Sequence, residues 1–258
     1  MPDLSMPRLM AACESDVGRL REHNEDAYYL DEEHGLFVVS DGMGGAKAGE
    51  VASQMVVDLL PTMVTGRLEN AEKLQSWAVR YWLRQDLHVI SRQIYVASIN
   101  DPDLVGMGAT VVAALVLGHQ LYIAHMGDSR AYTFRQDHLK QITEDHSIVN
   151  ILMRNGEISA QEAREHPDKS LITRHMGMAE DTYPAVRTLN LRPGDQILLC
   201  TDGLTDMLSD NVIASILRTA TNPYQATESL VEVANEAGGR DNITALLIRW
   251  DGLTPDQD

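Results

Sequence analysis

"VVSDGMGG", residues 38–45, carries an apolar run into a pair of glycines through a single aspartate. The chain makes the same move at "LLCTDGL", residues 198–204. Asp-Gly suits a tight turn, so each stretch alone reads as a hairpin tip. Read together, they are two strand ends that each deliver a carboxylate. Two further apolar runs fit the second reading: Asp128 follows "LYIAHMG", and Asp241 precedes "ITALLIRW" by one residue, Asn242.

If these strands lie side by side, their aspartates cluster at one rim. Clustered carboxylates repel one another in a cleft that water only partly screens. Hard divalent cations relieve that repulsion, and all-oxygen ligands suit Mg²⁺ or Mn²⁺. Two such ions about 3.5–4 Å apart can share a carboxylate and a water, which then loses a proton near neutral pH. Gly42, directly after Asp41, leaves its backbone carbonyl approachable as a ligand. Upstream, "SDVGRLREHNED" (15–26) offers Arg21, Glu25 and Asp26. A guanidinium grips a phosphate through two parallel hydrogen bonds.

The remaining pattern sets the scaffold. Runs at 8–13, 36–40, 110–117, 121–126, 131–135, 185–190, 196–201 and 243–250 are rich in β-branched and apolar residues. "GHQ" (118–120) and "QDH" (136–138) read as hairpin links, which implies antiparallel sheets. Val51 to Met63 repeats at helical spacing, with Pro61 expected to end or kink the helix. Residues 70–98 read as a second helix with Leu74, Trp77, Ala78, Tyr81, Ile90 and Ile94 on its inner side. Residues 222–239 read as a third, opened by Asn222 and Pro223 and stopped by two glycines. Residues 147–184 are polar, helical in pieces and inserted between strands, as a lid or substrate-facing subdomain would be.

The chain has 258 residues, 44% hydrophobic, enough for a sizeable core. Its net charge of −17 argues against nucleic acid and anionic membranes as partners. No signal-peptide pattern opens the N-terminus, and the longest apolar run, Val111–Leu117, is too short to cross a bilayer. Cys13 and Cys200 each lie in an apolar run and read as buried, reduced thiols. A cytoplasmic protein is expected.

In order, "SDVGRLREHNED", "SDGMGG", "GMGAT", "AHMGDSRAY", "ITEDHS", "LRPGDQILLCTDGL" and "GGRDNIT" closely resemble the metal-dependent protein phosphatases, the PPM or 2C class, and most of all their compact bacterial branch. The matches run from about Ser15 to Trp250. The resemblance implies an α+β fold: a four-layer α-β-β-α sandwich of two antiparallel sheets flanked by helices. It implies one domain over 1–258, with residues 147–184 as a flap beside the active site. It implies a Ser/Thr protein phosphatase with two divalent cations, Mn²⁺ or Mg²⁺. Asp41 would bridge them, the Gly42 carbonyl would bind one, and Asp202 and Asp241 the other. Asp26 would act at or next to the ions, with Glu25 its neighbour and a possible ligand. Asp128 matches a position that helps bind a third metal, and Arg21 the arginine that binds substrate phosphate.

The implied reaction is hydrolysis of phosphoserine or phosphothreonine by a metal-bridging hydroxide, with no phosphoenzyme. The implied partners are phosphorylated proteins, a bacterial Ser/Thr kinase that the enzyme opposes, and forkhead-associated proteins; a monomer is expected. Two departures leave the proton donor unassigned: Met43 and Ala46 stand where some family members carry histidine, and His146 in "EDHS" reads better as a structural hydrogen-bonder. A phosphoprotein-binding pseudophosphatase, a stress- or sporulation-type phosphatase and a small-ester hydrolase are the competing readings. The first would fit a chain lacking the metal aspartates, which this one keeps. The second usually carries a sensor domain, and the third needs a closed pocket.

Overall fold

The computed structural model describes residues 7–70 and 74–253. Part of the N-terminus read above and residues 71–73 of the expected 70–98 helix lie outside them; residues 70, 74 and 75 are described and precede that helix, which begins only at Ser76. Two antiparallel sheets stack face to face. The first runs β1 (Pro7–Asp16), β11 (Ile243–Leu253), β10 (Asp195–Cys200), β7 (Arg130–Arg135), β8 (His138–Gln141). The second runs β2 (Asp26–Asp31), β3 (Leu36–Met43), β5 (Val111–Leu117), β6 (Gln120–Met126), β9 (Ala185–Asn190), with the short β4 (Gly108–Ala109) paired to β3.

Helices α1 (Ala46–Glu69) and α2 (Ser76–Asn100) cover the second sheet. Helices α5 (Asp202–Thr205), α6 (Asp210–Thr219) and α7 (Pro223–Glu236) cover the first. The order is therefore helix, sheet, sheet, helix, as expected. Between β8 and β9 the chain forms only two short helices, α3 (Ile148–Arg154) and α4 (Ala160–Glu165).

This layering explains why the strands read as unbroken apolar runs. In β11, Leu246, Ile248 and Trp250 enter the core between the sheets, while Ile243, Ala245 and Leu247 lie under the helices. In β5, Val112, Ala114 and Val116 face the other sheet, and Val111, Ala113 and Leu115 meet the helices. A strand buried on both faces loses the polar alternation of a half-exposed one. Truncating a side chain such as Leu199, fully buried between the sheets, would cost about 2–5 kcal/mol.

Two helix expectations need correction. Helix α1 runs through Pro61 to Glu69, which removes the first of the two alternatives, an end at the proline. Burial of Leu60 and Val64 against the sheet offsets the hydrogen bond that proline removes. In α2, Trp77 and Tyr81 are 68% and 62% exposed, so they are not on the inner side. Val79, Trp82, Leu83 and Leu87 fill that face, together with the expected Ile90 and Ile94. The hairpin links hold: Gln136 and Asp137 both take positive φ, 49° and 62°, as a two-residue turn between twisted strands requires.

Candidate metal centre

Strand ends from both sheets meet at one rim of the sandwich, and each brings an acid. Asp41 lies near the end of β3, and Asp26 opens β2; the two are cross-strand partners. Asp202 stands two residues past the end of β10, after Thr201, and opens α5. Asp241 stands two residues before β11. Asp128 sits in the turn where the chain leaves the second sheet at β6 and enters the first at β7. Mutual electrostatic influence ties Asp41 to Asp26, Asp202, Asp128 and Asp241.

Local chemistry fixes each position. The Asp41 amide donates to Thr110 Oγ1 at 3.0 Å, and its carbonyl accepts from the Thr110 amide at 2.8 Å. Gly42 donates its N–H to the Glu25 carbonyl at 3.1 Å. A Cβ on Gly42 would fall 2.2 Å from the Gly49 carbonyl oxygen, so only glycine lets the first turn of α1 approach β3 this closely. Asn242, 5% exposed, staples the β1–β2 connection. Its Nδ2 donates to the carbonyls of Val17 and His23, and its Oδ1 accepts from the Glu25 amide. That staple brings Arg21 over the rim, where Nη2 donates to Asp241 Oδ2 at 2.8 Å.

The electrostatics are those of crowded acids whose burial and mutual repulsion outweigh the pull of Arg21 and Arg130. Desolvation, then Asp26, Asp202, Asp128 and Asp241, raise Asp41 well above the usual carboxylate range. Desolvation likewise pushes Asp202 up to about 6, with Asp241 and Asp206 adding to it. Asp26 rises to about 7, again through desolvation first, although hydrogen bonds from Thr244 and Thr201 pull the other way. Desolvation and then Asp202 and Asp145 raise Asp128 well above its ordinary value. Glu25 is raised too, by desolvation, against the pull of Arg21.

Three buried oxygens, Asp26 Oδ1, Asp128 Oδ1 and Asp202 Oδ1, have no hydrogen-bond partner. Buried polar atoms are rarely left so, and hard cations with their waters satisfy such oxygens. Among the described residues, no three His, Cys, Asp or Glu side chains form a ready-made cage for one ion. Repelling carboxylates do not close on a point by themselves. In the implied arrangement each ion takes only two or three protein ligands, so the donor set fits a water-rich pair of ions. A cavity of about 220 Å³ opens beside the cluster, lined by Asp128, Arg130, Asp145, Lys169, Asp202 and Asp206 among others. Lys169, on the segment after α4, contacts Asp206 at the end of α5.

The structure thus brings Arg21, Glu25, Asp26, Asp41, Gly42, Asp128, Asp202 and Asp241 to one place. His146 behaves as a structural group: its Nδ1 accepts from the Gly127 amide at 3.1 Å, and its ring stacks on His125. Both cysteines are free; Cys200 is buried and Cys13 partly so. Burial raises both thiols, Cys200 to about 12, so neither offers a thiolate nucleophile. Sequence reading missed Thr201, Thr244 and Arg130. Arg130 grips Asp145 through Nε and Nη2 beneath the Asp128 turn. The signals were present: Thr201 precedes the aspartate in "CTDGL", and Thr244 follows in "DNIT".

Known proteins share this architecture. The chain is 38% identical to the serine/threonine phosphatase stp of Listeria welshimeri, over 91% of this chain and 93% of that one. It superposes on the serine/threonine phosphatase PstP/Ppp of Mycobacterium tuberculosis with a TM-score of 0.85 and 36% identity, covering 93% of this chain and 98% of that one. It matches a PstP catalytic domain in complex with two manganese ions at a TM-score of 0.83 and 34% identity, covering 94% and 98%. A family profile described as Protein phosphatase 2C matches residues 19–238. With that span and those likenesses, the chain belongs to the protein phosphatase 2C family.

Proposed function

We propose that this protein is a metal-dependent serine/threonine protein phosphatase that hydrolyses phosphoserine and phosphothreonine on proteins. The observation that carries the reading is the convergence of five aspartates from two sheets at one rim, three of them with an orphaned buried oxygen. The two-manganese PstP relative supports a pair of divalent cations, Mn²⁺ or Mg²⁺, at this rim. Asp41 would be shared between them, the Gly42 carbonyl would serve one, and Asp202 and Asp241 the other. Asp26 and Glu25 would stand beside them, and Asp128 would help hold a third.

Bound, the cations would supply Lewis acidity and a water acidified enough to act near neutral pH. The chain's own groups do the rest. Arg21, half exposed at the cleft mouth, binds the substrate phosphate and offsets charge on its oxygens. The closely packed Gly42–Gly49 junction holds Asp41 and Glu25 in register. Residues 1–258 act as one catalytic domain, with 147–184 as the flap that borders the cavity beside the cluster.

Among the described residues no helix is long and apolar enough to cross a membrane. A cytoplasmic monomer that opposes a Ser/Thr kinase, with forkhead-associated proteins among its targets, is the finer reading drawn from the family. The test is hydrolysis of a phosphothreonine peptide with Mn²⁺, with Mg²⁺ and with EDTA, beside Asp41→Asn and Asp202→Asn. Activity is expected only with metal and should fall to background in both variants. Undiminished turnover in EDTA would refute the reading.

A further inference from the structure

Asp26 reaches from the second sheet to a row of three hydroxyls on the first. Ser15 near the end of β1 and Thr244 in β11 are cross-strand partners. Thr201 lies one step beyond the Cys200–Ala245 pair of β10 and β11, and its amide donates to the Thr244 carbonyl at 3.2 Å. Thr201 and Thr244 are both fully buried. Asp26 Oδ2 accepts from Thr244 Oγ1 at 2.6 Å and from Thr201 Oγ1 at 2.9 Å.

The direction of every bond in this row is fixed, because each hydroxyl has one proton. Thr244 gives its proton to Asp26, so at its 2.8 Å contact with Ser15 it must accept. Ser15 then donates to Thr244 and accepts from Asn24 Nδ2 at 2.9 Å. Asn24 Oδ1 accepts in turn from the Asp26 amide at 3.2 Å, which sets the amide's orientation. On the other side, Thr201 Oγ1 accepts from the Thr244 amide at 3.0 Å. The row ends in amide N–H groups at both ends. It is a static chain of donors pointing at one oxygen, not a path for protons.

Two donors on Oδ2 leave Oδ1 as the carboxylate's free oxygen, buried and without a partner, in a group that feels the charges of Asp202 and Asp241. We infer that the Ser15–Thr244–Thr201 row is a positioning device that locks Asp26 in one rotamer and presents Oδ1 to the cations or their waters. Thr244 is its central member, since it alone touches both Ser15 and Asp26. The competing role is plain packing at a sheet rim, in which the hydroxyls hold strands together and Asp26 merely benefits. The inference rests on the phosphatase reading above, since it needs cations at this rim.

The two roles separate in a Mn²⁺ titration of the full chain, followed by calorimetry and by the free-ion EPR signal, with no substrate present. Thr244→Val keeps the shape and removes the hydroxyl. It should weaken Mn²⁺ binding by about tenfold or more, the usual scale for groups that orient metal ligands. Thr244→Ser should restore binding. Melting temperature in EDTA is measured on each variant. Thr201→Val and Ser15→Ala form a second series should Thr244→Val fail to fold, and both should weaken Mn²⁺ binding. Folded valine and alanine variants that bind Mn²⁺ as tightly as the unaltered protein would overturn the inference. So would a folded Thr244→Ser that binds as poorly as Thr244→Val. Unaltered protein that bound no Mn²⁺ would remove the phosphatase reading itself; normal binding there with silent variants removes only the positioning role.

Discussion

Arg21 and Asp241 are joined by a 2.8 Å hydrogen bond between Nη2 and Oδ2, with side chains 51% and 37% exposed. An ion pair this open contributes only about 0–1 kcal/mol, so a phosphate dianion can displace Asp241 from the guanidinium at little cost. Arg21→Ala should raise KM for a phosphothreonine peptide by about tenfold, the value of one charge-assisted hydrogen bond, with a smaller change in kcat. Arg21→Lys should fall between, because it keeps the charge and loses the fork. Steady-state kinetics decide; KM and kcat both unchanged in Arg21→Ala would reject the role.

The metal-free protein should lose stability as pH rises. Asp202 and Asp26 release their protons at about 6 and about 7 in the fold, against about 3.9 in an unfolded chain. The folded state therefore binds more protons than the unfolded state between those limits, and stability falls with pH there. For these two groups the penalty is absent below about pH 4, grows as pH rises through 6 and 7, and is complete only about one unit above pH 7; Asp41 and Asp128, also raised, add to the same slope. Thermal melts in EDTA across that range should show the decline, Asp41→Asn should flatten it, and Mn²⁺ should abolish it. Parallel curves for the variant and the unaltered protein would contradict the electrostatic account.

His146 should contribute the opposite slope. Desolvation first, then His125 and Arg174, lower it to about 4, and its Nδ1 must be unprotonated to accept from Gly127. The folded state thus binds fewer protons than the unfolded one. Its stabilising effect is whole above about pH 6.5 and drains away as pH falls toward 4. The advantage in melting temperature of the unaltered protein over His146→Ala should shrink between pH 7 and pH 5. An advantage that stayed constant would exclude this titration.

Two glycines near α1 should respond in opposite directions to alanine. At Gly42 the added carbon would meet the Gly49 carbonyl oxygen at 2.2 Å and the Glu25 carbonyl oxygen at 2.7 Å, all backbone. Overpacking of this kind costs about 1–3 kcal/mol, and here it also pries α1 from β3. At Gly66, inside α1, the carbon would meet nothing within 4 Å, so Gly66→Ala should add about 0.5–1 kcal/mol. Denaturant midpoints of the two variants provide the measurement.

The strands around the site were legible because burial on both faces leaves a continuous apolar signature, as in Val111–Leu117 and Ile243–Trp250. Strands β2 and β4 escaped notice, and β8 was implied only as the far side of the "QDH" hairpin without bounds of its own. The first alternates "DAYYLD" at a sheet edge, the second is two residues long, and the third, "HLKQ", is half exposed on the outer edge. The inner face of α2 was misjudged because Trp77 and Tyr81 repeat at helical spacing on the solvent side, and spacing alone does not say which stripe meets the sheet. Asp41 and Asp202 stood out through Asp-Gly, and Asp128 and Asp241 through the apolar runs beside them. The hydroxyls behind Asp26 did not, since threonine inside a strand is ordinary and the partner lies 175 or more residues away.

The crossing of the chain from β6 to β7 at Asp128 has a wider meaning. Because the acids are shared between the two leaves of the sandwich, ions seated there act as a buckle across the seam. A small sliding of one leaf over the other would open the buckle while leaving each leaf and its helices whole. Activity should therefore vanish before circular dichroism records any melting, and the cations should delay that slippage more than they delay the loss of helix.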